Sequence, residues 1–596
     1  MNELIARMKQ RKLVQWALAY LAAGWAALQA LGLAADSYDW PHRVMQVAFA
    51  AIALGFVIAL VLAWYHGEQG KQRVSGAELL LIALVLAIGG GLLWRYEHAS
   101  LPATNVDAAR RNPARPTANA AAPQAGAAIP IPTKSVAVLP FVNMSGDPKN
   151  DYFSDGITEE ILDALAQITN LKVAARTSAF AFKGKAEDLR KVGEALDVAT
   201  VLEGSVQKAG DEVRITAQLI DTRSGYHLWS EKYDRKLTSV FAVEDEISKA
   251  IADKLQVQLA GGSASTLVAQ KTIDPRAHDF YLRGLTLLAA RSVGEAVGAL
   301  RQAVAIDPGY AQAWATLAEA QALLPDYTST APLIAYADSL KSSQRALILQ
   351  PDTSLAYVAQ GMVYSSQMRW ADADRALRHA LVLAPGDAEA LNQYAQFLDA
   401  VGQLQPALNV LDRALQRDPL SGTSAVIRVQ LRMILHLDDP ATAAAQIGDI
   451  VAAHPESVFV RRTATLIYLN LHRYPEAEMQ ARAAATLTGT DPESKALLIR
   501  GMADPSLRER AVQALETSPA HSDLRREPIV CALFLMHLNA PDRALAVLEA
   551  GATQGTSTIP QLLWHPDFDP VRNDPRFKAV LKKMGLPYVP EPPASS

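Results

Sequence analysis

The chain has 596 residues, 50% of them hydrophobic, and a formal net charge of -4 at pH 7. A single hydrophobic core rarely grows beyond about 250–300 residues, so several domains are expected. The near-neutral charge balance excludes the strongly basic footprint of a nucleic-acid-binding protein. The one cysteine, Cys531, excludes an intrachain disulfide and a CxxC-type metal site, and we predict that it is buried packing.

Three apolar runs occupy the first hundred residues. Residues 13–33 are 21 positions without a formal charge, residues 44–65 form a second run, and residues 79–94 form a shorter third run. A helix that spans a bilayer needs about 20 apolar residues, so residues 1–98 are predicted to be a three-helix transmembrane anchor. A cleaved signal peptide is the alternative for the first run, but that run is longer than the apolar region of a signal peptide.

Basic residues predict the orientation of this anchor. Four Lys or Arg lie within the first twelve residues, and Lys71 and Arg73 lie in the second loop, whereas the first loop has only Arg43. Because positive charge favours the cytoplasmic side, we expect a multi-pass protein of the inner (cytoplasmic) membrane. Its soluble domains would then face the periplasm. Residues 99–133, rich in Ala and Pro, are predicted to be a disordered linker.

Strand and helix signals alternate between residues 134 and 260. An apolar strand signal and a turn-rich segment precede a helical pattern from Ile157, with Thr158, Glu159 and Glu160 in its first turn. Three strands are predicted next, followed by an amphipathic helix. This order indicates a compact α/β domain with an antiparallel meander. The predicted strands lie at 201–208, 212–221 and 226–233, and the helix at 245–259.

Three blocks of this region also resemble a known family. They begin VAVLPFVNMSGDPKN at Val136, VLEGSVQKAGDEV at Val201 and VFAVEDEISKAI at Val240. In this order they resemble the TolB amino-terminal-like (FlgO-like) domain of bacterial membrane-linked regulators. The resemblance implies a domain between a membrane anchor and tetratricopeptide repeats. Regulators of this kind often carry a class III adenylate cyclase or winged-helix output domain, and we recognise no such domain in this sequence.

Residues 272–555 have a helical and periodic sequence. Prolines that we expect to end helices fall at 275, 308, 351, 385 and 419, with spacings of 33, 43, 34 and 34. A period of 34 is typical of tetratricopeptide repeats, and at least five or six repeats are predicted. Small residues at Gly284, Gly361, Ala380 and Ala414 are expected where paired helices approach closely. The 43-residue step is expected to contain an insertion near residues 324–332.

A capping segment is predicted at residues 556–596. Trp564, Phe568 and Phe577 lie at the end of the repeat array, where they would cover the last exposed apolar face. The expected architecture is therefore multidomain: an α-helical membrane anchor, a compact α/β domain and an all-α tetratricopeptide solenoid.

Sequence motifs for catalysis, cofactors or metals are lacking. No GxxxxGK[ST], GxGxxG, GxSxG or HExxH pattern occurs, so we predict that the protein is not an enzyme and needs no cofactor or metal. Five carboxylates between Asp147 and Glu160 lack EF-hand spacing and are interpreted as loop solvation and helix N-terminal charge. Trp229 and Tyr233 on the last strand are interpreted as sheet packing rather than as a ligand groove.

The repeats are the expected functional surface. Stacked helix pairs form a solenoid whose first helices line a groove, and we expect a protein or peptide partner from the envelope to bind there. The sequence therefore predicts a membrane-anchored, periplasm-facing scaffold or sensor, and it leaves open whether the chain forms a homo-oligomer. The alternative is the input half of a signalling system whose adenylate cyclase or transcription-regulator output is on another polypeptide. Candidate partner contacts on first helices are Arg283, Tyr364, Asn392 and Gln396.

Overall fold

A computed structural model describes residues 133–236, 246–255, 273–554 and 560–590, apart from residues 167, 169, 186, 211, 248, 252 and 329. The predicted membrane spans and linker lie outside the described residues. No helix within the described ranges is long and apolar enough to cross a membrane. The domains described below belong to one compact unit.

A mixed sheet forms the core of the first domain. Its strand order is β3-β1-β4-β5-β6, and β2 pairs with β4 beside β1. β1 pairs in parallel with β3 and β4, whereas β4, β5 and β6 pair antiparallel, so the predicted meander is confirmed. The described strands are β1 (Ser135–Val138), β2 (Val142–Asn143), β3 (Lys172–Val173), β4 (Thr200–Ala209), β5 (Glu212–Asp221) and β6 (His227–Lys236).

Helices cover both faces of the parallel part of this sheet. Val136 and Val138 of β1 are buried in the same core cluster as Ile157 of α1 and Ile247, which lies in the helical residues 246–254. Ala137 is buried in a second cluster with residues of α3. Neighbouring residues of a strand point to opposite faces, so β1 is buried on both sides. The helices are α1 (Asp151–Ala166), α2 (Arg176–Phe180) and α3 (Leu189–Leu196).

Helix α1 begins earlier than the sequence pattern predicted. A 3-10 helix at Pro148–Asn150, capped by the side chain of Asp147, leads directly into α1. Glu159 and Glu160 therefore lie in the interior of the helix, and their interpretation as N-terminal charge is wrong. Gly156, which directly precedes the predicted helical pattern, also lies inside the helix.

The remainder of the described chain consists mainly of paired helices. Eight pairs follow one another, four of them after Pro419, which confirms the predicted tetratricopeptide-like repeat region. The pairs are α4 (Pro275–Ala289) with α5 (Val293–Ile306), α6 (Ala311–Tyr327) with α7 (Pro332–Leu349), α8 (Ser354–Ser366) with α9 (Trp370–Leu383), α10 (Ala388–Ala400) with α11 (Leu404–Arg417), α12 (Gly422–Ile434) with α13 (Pro440–Ala453), α14 (Val458–Asn470) with α15 (Tyr474–Leu487), α16 (Pro492–Ala503) with α17 (Arg508–Thr517), and, after the short α18 (Ser522–Arg525), α19 (Pro528–His537) with α20 (Pro541–Gln554).

Two details of the predicted repeats need correction. Pro275 does not end a helix; it is the first residue of α4, where its missing N–H costs nothing. The insertion in the 43-residue step does not form a long loop. It lengthens two helices, since α6 and α7 have 17 and 18 residues, whereas α8 and α9 have 13 and 14.

Small residues allow the paired helices to approach, as the spacing predicted. A Cβ atom added to Gly284 would lie 2.6 Å from Cγ of Leu300 on the second helix, and Gly361 faces Leu377 in the same way. Ala380 is fully buried. A larger side chain at these positions would therefore have to separate the two helices.

The C-terminal segment packs against the middle of the repeat array as well as its end. Phe568 and Phe577 are fully buried. A 3-10 segment (Pro560–Trp564) precedes Phe568, which lies in a second 3-10 segment (Pro566–Val571), and Phe577 lies in α21 (Pro575–Lys583). The indole N–H of Trp564 donates to the carbonyl of Ala400 at 3.1 Å, and the indole N–H of Trp370 donates to the carbonyl of Met584 at 2.7 Å. The segment therefore links the last helix pair to the third and fourth pairs.

Three polar side chains hold this segment through one carboxylate. Asn470 donates to Oδ1 of Asp567 at 2.9 Å, His565 Nδ1 lies 2.6 Å from its Oδ2, and His537 Nε2 lies 3.2 Å from its Oδ1. Although burial opposes ionisation, these histidine contacts hold the pKa of Asp567 well below its usual range. The nearby Cys531 is buried, as predicted, and burial raises the pKa of its thiol to about 11.

The register of the repeats can be tested by overpacking. Ala380→Phe should lower the free energy of unfolding of the full-length protein by about 1–3 kcal/mol, because the added ring must push α9 away from its neighbours. Thermal unfolding followed by circular dichroism measures the change. Gln367→Ala is the control, since Gln367 is exposed. Equal melting temperatures for the two variants would contradict the assigned register.

Candidate protein-interaction site

Helix α1 of the sheet domain packs directly on α4, the first helix of the repeats. A Cβ atom on Gly156 would lie 2.6 Å from Cδ2 of Leu282, so only glycine allows this approach. The buried residues of both elements belong to one core cluster, in which Ile157 and Ile161 lie together with Leu282 and Leu285. The first helix pair is therefore covered by a neighbouring domain of the same chain.

Polar contacts surround this apolar packing. Tyr152 donates its hydroxyl hydrogen to Asp279, and Lys208 of β4 lies 3.3 Å from the same carboxylate. Arg283 is 2.9 Å from the other oxygen of Asp279, and its guanidinium lies 4.8 Å from the centre of the Tyr152 ring. Arg283 is about half exposed but already engaged with the sheet domain.

A second contact joins the sheet domain to the fourth helix pair. The N–H of Ala175 donates to the carbonyl of Arg417 at 3.0 Å. Ser178 donates its hydroxyl hydrogen to Asp418 and accepts from the N–H of Leu420 at 2.8 Å. The side chain of Leu420 packs against the buried residues behind β1. The sheet domain therefore contacts the array at both the first and the fourth pair.

Between these two contacts, carboxylates from both domains face one another. We name this group the acidic cleft: Glu159, Glu160 and Asp163 of α1, Glu319 of α6, and Asp387 and Glu389 at the start of α10. Each of the pairs Glu159–Glu319, Asp163–Asp387 and Glu319–Glu389 is close enough to interact electrostatically. Asp163 is exposed to solvent, yet its pKa is well above the usual range. The larger cause is the loss of hydration among the surrounding protein atoms, and the negative charges of the neighbouring carboxylates raise the pKa further. Solvent exposure combined with surrounding protein is expected in a narrow, water-filled cleft.

The acidic cleft favours protonated carboxyl groups. Burial, and then the charge of Glu159, raises the pKa of Glu160 to about 7, although the nearby hydroxyl of Tyr281 acts to lower it. Burial, and then the charge of Glu389, raises the pKa of Glu319 to about 8. Two arginines counter this charge: Arg176 donates to Glu159 at 2.7 Å, and Arg291 lowers the pKa of Glu319.

The four predicted partner contacts differ in their surroundings. Asn392 is buried and accepts a hydrogen bond from Ser424 at 3.1 Å, so it serves packing between α10 and α12 and is not available to a partner. Tyr364 is half-buried beneath the guanidinium of Arg369, which lies 4.3 Å from its ring centre. Gln396 is half-buried on α10, whereas Arg283 lies at the junction with the sheet domain. The four residues therefore do not form one patch.

The other residues singled out in the sequence have structural roles. Asp151 accepts from Asn143 at 2.7 Å, and Asp155 pairs with Lys183 at 2.5 Å. Tyr233 is buried in the sheet core, which confirms that it serves packing. Sequence reasoning missed the acidic cleft, because its members come from three helices that are distant in the sequence and no local motif joins them.

Comparison with known proteins gives a partial relationship. No protein-family model matches the chain. Over 191 residues the chain is 47% identical to a Rhizobium meliloti (strain 1021) protein named "Putative adenylate cyclase 3". The matched region covers 31% of this chain and 32% of that protein. The chain thus spans about a third of the length of this curated relative.

Solved structures of two helical proteins are also similar to this chain. Yeast Tom70 is 14% identical with a TM-score of 0.31, over 57% of this chain and 78% of that one. PilW, a type IV pilus biogenesis factor, is 17% identical with a TM-score of 0.27, over 35% of this chain and 90% of that one. These scores are too low to extend the likeness to function.

The acidic cleft predicts a pH-dependent stability. The raised pKa of Glu319 means that the folded state favours its protonated form. The contribution of Glu319 to stability is therefore greatest below about pH 4.3, where a Glu in the unfolded chain is also protonated. This contribution is lost as the pH rises to about 8. Glu319→Gln should therefore melt above the wild type, with a difference that grows between pH 5 and pH 8.5.

Glu456→Gln is the matched control, because Glu456 is exposed in the turn that precedes α14. Its melting temperature should follow that of the wild type at every pH. If the difference in melting temperature between Glu319→Gln and the wild type is the same at every pH in this range, the ionised Glu319 carboxylate is not destabilised in the folded protein.

Proposed function

We propose that this chain is a membrane-anchored, periplasm-facing scaffold or sensor that binds a protein or peptide partner through its helical repeats. Residues 1–98 would anchor it in the inner membrane, and residues 134–260 would be the TolB-like domain. The partner would bind first helices beyond the area that α1 already covers. Of the predicted contacts, Tyr364 and Gln396 would belong to that surface.

The docking of α1 on α4 is the observation that carries this proposal. It is an example, within one chain, of the kind of recognition that we propose for the partner. A first helix there binds another helix through close apolar packing at Gly156 and Leu282, with a polar rim at Asp279. Interfaces that combine an apolar centre with a polar rim are typical of protein–protein recognition. The later pairs have the same two-helix design, and α8 and α10 keep half-exposed polar residues.

The proposed topology can be tested with reporter fusions in the full-length protein. A reporter after Gly70 should be active in the cytoplasm, and one after Ala120 should be active in the periplasm, because the three predicted spans and the basic N-terminus favour this orientation. The measurement is paired alkaline phosphatase and fluorescent-protein activity. The reverse pattern would contradict the localisation, and so would cytoplasmic activity at both positions.

The proposed binding surface can be tested by site-specific photocrosslinking in cells. A photoreactive amino acid at Gln396 should give a discrete adduct with an envelope protein, because this side chain lies on the proposed surface. The same amino acid at Arg413, which is exposed on the second helix α11, is the control and should not. Mass spectrometry identifies the adduct. An adduct from position 413 alone, or from neither position, would contradict the proposed site.

A second candidate function is the input portion of a signalling system. It is favoured by the 47% identity, over 191 residues, to a protein named as an adenylate cyclase. In this case the purified chain should not convert ATP to cyclic AMP, and the adduct from position 396 should contain a protein with a cyclase or winged-helix domain. An envelope-assembly protein in the adduct would favour the scaffold instead.

A further inference from the structure

Strand β6 has an outer edge on which no strand of the described residues pairs. The strand order places β6 at the end of the sheet, next to β5. It is ten residues long, His227–Lys236, and most of its side chains are exposed. An open edge presents unpaired N–H and C=O groups, and proteins usually protect such an edge with charged residues. The charges of β6 therefore decide what this edge can pair with.

The charges on β6 form a complementary pattern around Tyr233. Glu231 and Arg235 flank it at a distance of two residues, and Lys232 and Asp234 flank it directly. The register with β5 shows which face each residue is on. Glu231, Tyr233 and Arg235 lie opposite the buried residues Ala217, Ile215 and Val213, and Lys232 and Asp234 lie opposite Thr216 and Arg214 on the outer face.

We propose that the β6 edge pairs antiparallel with the β6 edge of a second copy of this chain, on a two-fold axis through Tyr233. A two-fold axis perpendicular to the sheet keeps each side chain on its own face and passes midway between the two copies of one residue, which we call an axis through that residue. Lys232 then lies opposite Asp234 of the partner subunit. Glu231 lies opposite Arg235 of the partner subunit. The two-fold axis repeats both pairs, so four pairs of opposite charges face one another across the edge.

Neighbouring registers lack this complementarity. An axis through Lys232 places that residue opposite its own copy and Asp234 opposite the uncharged Ser230. An axis through Asp234 places that carboxylate opposite its own copy and Lys232 opposite a second lysine. Like charges directly opposite each other destabilise an antiparallel pair. The sequence of β6 therefore selects the register centred on Tyr233.

The four charged side chains are free enough to form these pairs. Asp234 contacts Arg214 at 2.6 Å and Lys232 at 3.4 Å, and Arg235 contacts Glu246 at 3.0 Å. Glu231 accepts a hydrogen bond from the Tyr233 hydroxyl at 2.7 Å. The side chains of Lys232, Asp234 and Arg235 are between 38% and 58% exposed, and Glu231 is exposed as well. Exposed ion pairs contribute little to stability and are readily exchanged. Tyr233, on the axis, is buried and uncharged, so it need not move. This pairing does not depend on the proposed partner-binding function.

Disulfide crosslinking tests the register directly. Full-length Lys232→Cys and Asp234→Cys variants, purified in detergent and mixed under mild oxidation, should form a disulfide-linked dimer several-fold faster than either variant alone. The native thiol gives little background, since Cys531 is only 3% exposed. Arg223→Cys, at a turn residue whose side chain is 74% exposed, is the control and should not crosslink with Lys232→Cys. Faster crosslinking of Lys232→Cys with itself, or no crosslink in the mixture, would overturn the proposal.

A charge exchange gives a second test that does not depend on cysteine. Lys232→Asp places like charges opposite each other twice, so the dimer should dissociate on the order of tenfold more readily in sedimentation equilibrium. The double variant Lys232→Asp with Asp234→Lys should restore the wild-type dissociation constant. Equal dissociation constants for the single variant and the wild type, or a double variant no tighter than the single one, would contradict the pairing.

Discussion

The packing of α1 on α4 is the constraint on which the rest of the described structure depends. At Gly156 and Leu282 the two helices are so close that a Cβ atom cannot be inserted. The apolar residues of the sheet domain and of the first repeats form one core cluster because of this contact. Burying shared apolar surface couples the stability of the elements that contribute to it. The sheet domain and the first repeats should therefore unfold together.

This packing also explains the unusual charges between the two domains. Once α1 lies on α4, the carboxylates Glu159 and Asp163 necessarily face those of α6 and α10. Like charges that lie close together and are partly buried raise one another's pKa and cost stability. A chain selected for stability alone would replace Glu319 by an uncharged residue. Local conflicts between sequence and stability, such as this one, are expected at functional or strained sites.

The sequence predicted those parts of the fold in which local pattern and tertiary environment agree. Alternation along β5 predicted its bounds, because one of its faces is buried and the other is exposed. The repeats were predicted where small residues recur, at Gly284 and Gly361. Beyond Pro419 the sequence signal weakens, although the helix pairs persist. Helix packing tolerates a larger residue at one position if its neighbours adjust, so geometry continues where the sequence signal fades.

The candidate site was predicted less well, because tertiary neighbours distant in sequence decide its character. Arg283 was expected in an open groove, but Tyr152, which lies 131 residues earlier, contacts it. Asn392 was expected to contact a partner, but it is buried against Ser424, 32 residues later. In each case the residue type and its place on a first helix were predicted, and the element that would cover it was not.

Hydrogen exchange in a destabilised variant tests the shared core most directly. Leu282→Ala in the full-length protein removes apolar contacts from α4, and amide protection can then be measured by mass spectrometry in α1, α4 and the distant α16. If one core joins the sheet domain to the repeats, α1 and β1 should lose as much protection as α4, and α16 should lose much less. Unchanged protection in α1 and β1, with a loss confined to α4 and α5, would show that the two domains are stable independently and would contradict this account.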